Sequence, residues 1–182
     1  MATEPAEIVD FWRAAGPKAW FAKSAAFDAT LRERFEPPHH AAARGELGAW
    51  MGGPEGALAL LLLLDQFPRN LSRGSAHAFA TDPLARMTTR RAIELGHDRR
   101  TSTDLRIFFY LPFAHSESLA DQDLCVRLWT ALERESGESA KWAHLHRDII
   151  ARFGHFPHRN ACLGRSTTAL EQAFLDGGGF RG

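Results

Sequence analysis

The sequence predicts an all-α fold, an α/α superhelix of stacked antiparallel helix pairs. Leu and Ala supply fifty of the 182 residues, whereas Val and Ile together supply seven. A sheet needs β-branched residues on its pleated faces, and too few are present. Apolar residues also recur at helical spacing, with cap and stop residues between the runs. Hydrophobic residues at 45% and charged residues at 24% are ordinary globular values. A single all-helical domain over residues 1–182 is therefore expected, with 175–182 as a frayed tail.

Thr3 can cap a first helix carrying Ile8, Phe11, Trp12 and Ala15 and ending at Gly16. A second starts near Ser24, carries Phe27, Leu31 and Phe35, and is expected to stop before Pro37-Pro38. A short helix is expected over Ala41–Trp50. Gly53-Pro54 opens the most apolar helix, running through Phe67 with Pro68 closing it. Asp82-Pro83 starts the next, which ends at Gly96. Thr101–Phe109 follows, interrupted by Pro112. Ser118 and Asp121 have capping-box spacing for Leu119–Glu135. Ser139 opens a helix that ends at Gly154. Thr168 and Glu171 form a second capping box, and Gly177-Gly178-Gly179 follows the last helix.

Composition excludes several function classes. The 22 basic and 22 acidic residues cancel, which argues against nucleic acid or an anionic membrane as partner. The longest apolar run, Ala57–Leu64, is far short of a membrane span. Met1–Asp10 carries acids and no basic leader region, so a cytoplasmic location is expected. Cys125 and Cys162 read as small core residues, without disulfide or zinc spacing. There is no phosphate-cradling loop, nucleophile elbow or dinucleotide fingerprint, and no cofactor is expected. Arg86, Arg90, Arg91, Arg99 and Arg100, interleaved with Glu94 and Asp98, read as a solvated face. Trp12, Trp20, Phe21, Trp50, Trp129 and Trp142 read as core packing. Composition is silent on oligomeric state.

Some polar residues fall where the pattern wants apolar ones. Asp121 lies on the line of Leu124, Cys125, Leu128, Trp129 and Leu132, with Gln122 at its edge. His146 sits at the centre of the Trp142, Ile149, Ile150 and Phe153 stripe, while His144 faces outward. Asp65 continues the line of Leu58 and Leu61. Each needs a partner, because an unpaired buried polar group costs about 1–3 kcal/mol. Asp65 sits in a last turn, where the helix dipole disfavours a carboxylate. Arg69, Arg73, Arg159 and Arg165 are its candidate partners. His115, Glu117, Asp121 and His146 have the side-chain types of an acid–base cluster or a metal site, but not the ligand spacing of zinc, and no metal is expected.

Two helix exits echo each other. Asp65-Gln66-Phe67-Pro68-Arg69-Asn70 precedes Arg73-Gly74, and Phe156-Pro157-His158-Arg159-Asn160 precedes Gly164-Arg165. A planar guanidinium beside an amide can grip a carboxylate or phosphate.

These segments, with Leu111-Pro112-Phe113-Ala114-His115-Ser116-Glu117, Asp121-Gln122, Asp10-Phe11-Trp12 and Trp20-Phe21, resemble the hallmark boxes of the family catalogued as domain of unknown function 924. The resemblance spans nearly the whole chain. It implies an all-helical, tetratricopeptide-like superhelix and no established activity. The family pattern usually has Arg where this chain has His155, which implies weaker or pH-dependent anion binding at that position.

Three functional readings follow. The first is a binding module for a small anionic molecule or an acidic peptide end. Arg69, Asn70, Arg159 and Asn160 would be its grips, Asp65 would orient an Arg, and Gln66, Gln122, His155, His158 and Arg165 would complete the boxes. The second is a hydrolase or acid–base enzyme, with or without assistance from a metal, using His115, Glu117, Asp121 and His146. The third makes the boxes a folding scaffold.

Overall fold

The computed structural model describes residues 3–137 and 139–182, and these are helical with no strand among them. Met1 and Ala2, the start of the segment read as lacking a leader, lie outside the described residues. The chain divides into two compact units. The first runs up to Arg73 and resumes over His77–Pro112, and the second comprises Gly74–Ala76 and Phe113–Gly182. No helix among the described residues is long and apolar enough to cross a membrane.

The first unit begins with α1 (Pro5–Trp20), whose N-cap is Glu4 rather than Thr3. Gly16, with φ of 74°, breaks its helical path at the expected place, and Pro17 starts one further turn. Helix α2 (Ala25–Ala43) is capped by the Ser24 hydroxyl, which accepts from the Phe27 N–H. It does not stop at Pro37-Pro38 but passes through them. Two missing N–H donors weaken only local ladder bonds, and Phe35, Pro38 and Ala42 hold this stretch by burial. The helix expected over Ala41–Trp50 is instead the end of α2 followed by a 3-10 turn at Gly48–Gly52.

Helix α3 (Pro54–Leu61) is the apolar centre of this unit, with Gly56 through Leu61 all buried. It continues through a π turn at Leu62–Gln66 into α4 (Phe67–Leu71), so Pro68 does not end it. In the π turn the Phe67 N–H bonds back to the Leu62 carbonyl, and Pro68 has no N–H to give Leu64. The two carbonyls so released are taken from outside the helix. His39 Nδ1 donates to Leu63 O at 2.8 Å, and Thr81 Oγ1 donates to Leu64 O at 2.6 Å. The wider turn thus accommodates a proline inside a buried helix with its carbonyls satisfied. Helix α5 (Asp82–Glu94) packs against α3. The expected Thr101–Phe109 helix is shorter, being α6 (Thr103–Arg106) with a 3-10 turn at Ile107–Phe109. Trp12 lies at the core, fully buried, with ring centroids 5.5 Å from both Phe67 and Phe108. Phe21, by contrast, is 61% exposed.

The short helix α7 (Leu111–Ala114) leads the chain into the second unit. There α8 (Leu119–Ser136) and α9 (Lys141–Phe153) pack together, and α10 (Ala169–Asp176) follows. Gly137 and Gly154 end α8 and α9 in the left-handed conformation, with φ of 76° and 74°. Thr168 and Glu171 form the expected capping box. Ser118 is the N-cap of α8 without a side-chain bond; its N–H donates to the Ser116 hydroxyl at 3.2 Å, and that hydroxyl donates to Asp121 at 2.7 Å. Trp142, placed on the inward stripe, is 47% exposed at its edge. The end of the chain does not fray away. Phe180 packs against Ile149, Ile150 and Phe156, because the glycines let the chain double back.

Gly56 lies at a close backbone approach in the first unit. A Cβ there would lie 2.1 Å from the Trp50 carbonyl oxygen, and neither backbone is a flexible side-chain end. Gly56→Ala should therefore destabilise the protein by about 2 kcal/mol or more, measured by urea unfolding, although alanine is the better helix former.

Candidate functional site

The two exits fall in different units and are used differently. In the first unit Asp65 lies in the π turn and is 1% exposed. Its partner is Arg69, whose Nη1 lies 3.2 Å from Asp65 Oδ1 while its Nη2 lies 3.0 Å from Asp82 Oδ1. Gln66 Nε2 donates to the other Asp65 oxygen at 2.6 Å. Arg69 therefore bridges two buried carboxylates, one of them in the first turn of α5. Asp82 had only a helix-start role in the sequence reading, because a contact between residues 69 and 82 leaves no periodic signal. Arg73 grips Asp28 with two nitrogens, at 2.7 and 3.0 Å, and donates to Asn70 Oδ1 at 2.9 Å. Arg69, Asn70 and Arg73 are thus engaged inside their own unit.

The second exit is built around the Ala114 carbonyl, where α7 ends. Gln122 Nε2 donates to it at 2.8 Å and to the Ser116 carbonyl at 2.7 Å. His146 Nδ1 reaches the Ala114 oxygen at 3.1 Å. A carbonyl can only accept, so Nδ1 carries the proton and Nε2 is left as a lone pair. The Cys125 thiol also bonds this carbonyl, and burial pushes that thiol up to about 12. Asp121, Gln122 and His146 all point inward as the helical spacing requires.

Glu117 binds Arg165 through both oxygens, at 2.7 and 3.0 Å, and accepts from the Phe156 N–H at 2.9 Å. Burial opposes its charge, but Arg165, that N–H and nearby Arg159 outweigh it and hold the carboxyl below its ordinary value. His155 Nε2 lies 2.6 Å from Glu171 Oε1, so this side chain faces an acid of the same unit. Asn160 Nδ2 lies 3.4 Å from both Glu171 Oε2 and Thr167 Oγ1.

The same unit holds a cationic and aromatic cluster. The buried Arg159 guanidinium lies over the Phe156 ring, 4.5 Å from its centroid. His146 stands edge-on to the same ring at 5.4 Å, with His115 6.4 Å away and His158 5.5 Å from Phe156. Burial, with the charges of His115, Arg159 and His158 added, lowers His146 to about 3. Burial and Arg159 do the same to His158, also to about 3, and Glu117 opposes them only in part. Both imidazoles are therefore neutral near pH 7. His146 Nε2 and His158 Nδ1 are buried without a hydrogen-bond partner.

Of the proposed acid–base set, only His115 and His146 lie ring to ring. Glu117 is paired with Arg165, and Asp121 with Ser116. Among the described residues no group of three His, Cys, Asp or Glu side chains is arranged to hold a metal ion. Phe180 is the cluster member that sequence reasoning missed. Its ring lies 4.6 Å from His146 and 5.1 Å from His158, and glycines before it mask any periodic signal.

Fold and site define an all-helical protein whose polar boxes gather at helix exits. The chain belongs to the family described as "Bacterial protein of unknown function (DUF924)", whose model matches residues 8–179. It is also similar to a solved protein of unknown function, ATU0120 from Agrobacterium tumefaciens, at 52% identity and a TM-score of 0.90, over 95% of this chain and 97% of that one. Nothing among the curated proteins matches it.

Two outcomes test the site. Arg69→Ala strands the buried Asp65 charge and should lower the unfolding free energy by about 3 kcal/mol, read from denaturant titration. His146 and His158 have folded-state values near 3 against 6.5 unperturbed. The unfolded chain therefore takes up more protons than the folded one between those limits. Stability is fully present above pH 6.5 and falls as pH drops toward 3, with Glu117 adding the same sign only below 4.5. The melting temperature should fall across this window. His146→Asn, which keeps a donor for Ala114, should flatten the fall.

Proposed function

We propose that the protein binds a small anion, and that the site is the Arg159, His158, His146 and His115 cluster of the second unit. The observation that supports this reading is the pair of neutral, buried imidazoles, each with a ring nitrogen lacking a partner. Positive neighbours make protonation of these rings unfavourable, and an anion beside them would reverse that balance. Binding would raise the imidazole pKa values and take up protons, so affinity increases as pH falls. The Glu117–Arg165 pair braces the loop that carries His158 and Arg159. This narrows the sequence-level grips to Arg159 and its histidines, with Asn160 as a positioning residue. The first exit, where Arg69 and Arg73 are already paired, favours the scaffold reading for that half of the boxes. A hydrolytic role has less support, because Glu117 and Asp121 are committed to structural bonds. Tetratricopeptide-like stacking and a cytoplasmic location belong to the same proposal.

Sulfate is the probe of choice, because it does not titrate near neutrality. Titration calorimetry should show saturable sulfate binding that strengthens from pH 7.5 to 6. Arg159→Gln should weaken it about tenfold or more, equivalent to about 1.4 kcal/mol, with circular dichroism unchanged. Binding that ignores both pH and this substitution would sink the proposal.

A further inference from the structure

The segment after α10 lies directly on this cluster. Gly177, Gly178 and Gly179 turn the chain back, their N–H groups bonding to the carbonyls of Ala173, Leu175 and Phe174. Gly178 sits at φ of +85°, and a Cβ at Gly179 would come 2.5 Å from the Phe174 carbonyl oxygen. The turn therefore requires glycine. It delivers Phe180 to a position among His146, His158, Phe156 and, at 6.3 Å, Trp142. Gly182 follows closely, with its Cβ direction 3.2 Å from the His158 ring. Beside the turn lies a surface cavity of about 390 Å³, lined by Arg152, Leu170, Phe174 and the three glycines among others.

Phe180 is an incomplete occupant of this place. Its ring lies tilted against His146 and at right angles to His158, and it supplies apolar contact to Ile149, Ile150 and Phe156. It offers nothing, however, to the unpartnered His146 Nε2 and His158 Nδ1. A phenyl ring against a buried ring nitrogen leaves that nitrogen's desolvation uncompensated. A molecule carrying an aromatic ring beside an anionic group would take over the Phe180 contacts and, by drawing a proton onto these ring nitrogens, turn them into donors that it can accept from.

We infer that residues 177–182 form a strap whose Phe180 ring fills the aromatic half of the anion site, and that the ligand is an aromatic carboxylate that displaces it. This rests on the anion-binding reading above. The carboxylate faces Arg159 and the two histidines, and the ring takes the place of Phe180 on Phe156, Ile149 and Ile150. The strap competes with the ligand in cis, so its removal raises affinity without any new contact. Two sources share this chemistry, a free arylalkanoate and a peptide ending in phenylalanine.

The full chain, Phe180→Ala and Gly178→Val are titrated at neutral pH with sulfate, phenylpropionate and acetyl-glycyl-phenylalanine. Gly178→Val strains the turn at positive φ while a Cβ there meets nothing within 4 Å, so it loosens the strap without altering Arg159, the histidines or Phe156. Both variants should bind one of the aromatic probes about tenfold more tightly than the unaltered chain does, with sulfate changed by less than about threefold because it does not use the ring site. Whichever aromatic probe gains more identifies the source. In the unaltered chain, phenylpropionate should accelerate amide exchange over residues 178–182, and sulfate should not. If sulfate binds but neither variant gains affinity for an aromatic probe, the strap is overturned and the anion site stands. If no probe binds any of the three proteins, both fall together. Should Phe180→Ala lose its fold by circular dichroism, Gly178→Val and the exchange measurement decide.

Discussion

The second unit depends on one carbonyl oxygen, that of Ala114. It accepts from Gln122 and Cys125 on α8 and from His146 on α9, so two helices are tied to the exit of a third at a single atom. Its chemical character matters as much as its position. A carboxylate there would stabilise a charged imidazole, whereas a neutral carbonyl in a buried setting leaves His146 uncharged and fixes which nitrogen holds the proton. The lone pair on Nε2 is a direct result. The cationic character of the cluster comes from Arg159, whose guanidinium lies over the Phe156 ring beside the neutral imidazoles.

The two exits show how similar residues serve different ends. Phe67-Pro68-Arg69-Asn70 lies within a helix that the π turn has widened, and Arg69 reaches sideways to carboxylates on two elements. Phe156-Pro157-His158-Arg159 follows a helix that has already stopped at Gly154, in a 3-10 turn. Its guanidinium lies over its own phenylalanine ring. The letters match, but the backbone under them does not, and so the side chains point at different neighbours.

Much of the helical order was legible because periodicity and end signals are local. Gly16, Gly154 and the Thr168–Glu171 box act within a turn of themselves, and the inward placement of Asp65, Asp121, Gln122 and His146 needs only helical spacing. Proline misled the reading twice. Its local cost is real, but at Pro37-Pro38 burial outweighs it, and at Pro68 carbonyl acceptors are satisfied by His39 and Thr81, far away in sequence. Site partners were hidden for the same reason. Nothing near Glu117 points to Arg165, and nothing near Arg69 points to Asp82. The Ser118 cap looked complete until a neighbouring serine hydroxyl took the carboxylate. Phe180 was obscured by its own glycines, which read as disorder in composition yet serve as a sharp turn in space.

The π turn at Leu62–Gln66 has a consequence for how this helix tolerates change in length. It amounts to one extra residue held within a continuous helix. The apolar repeat before it and the one after it therefore run in different phases, joined where Asp65 and Gln66 sit. Deleting a single residue within the turn would let the ladder close as a regular α-helix while everything beyond it keeps its rotational position, because the wide turn already absorbs one residue. The same deletion in the regular stretch of α3 would instead rotate the residues beyond it by about 100° and swing Arg69 away from Asp82. The turn is thus a place where this helix can lose a residue and keep its downstream partners.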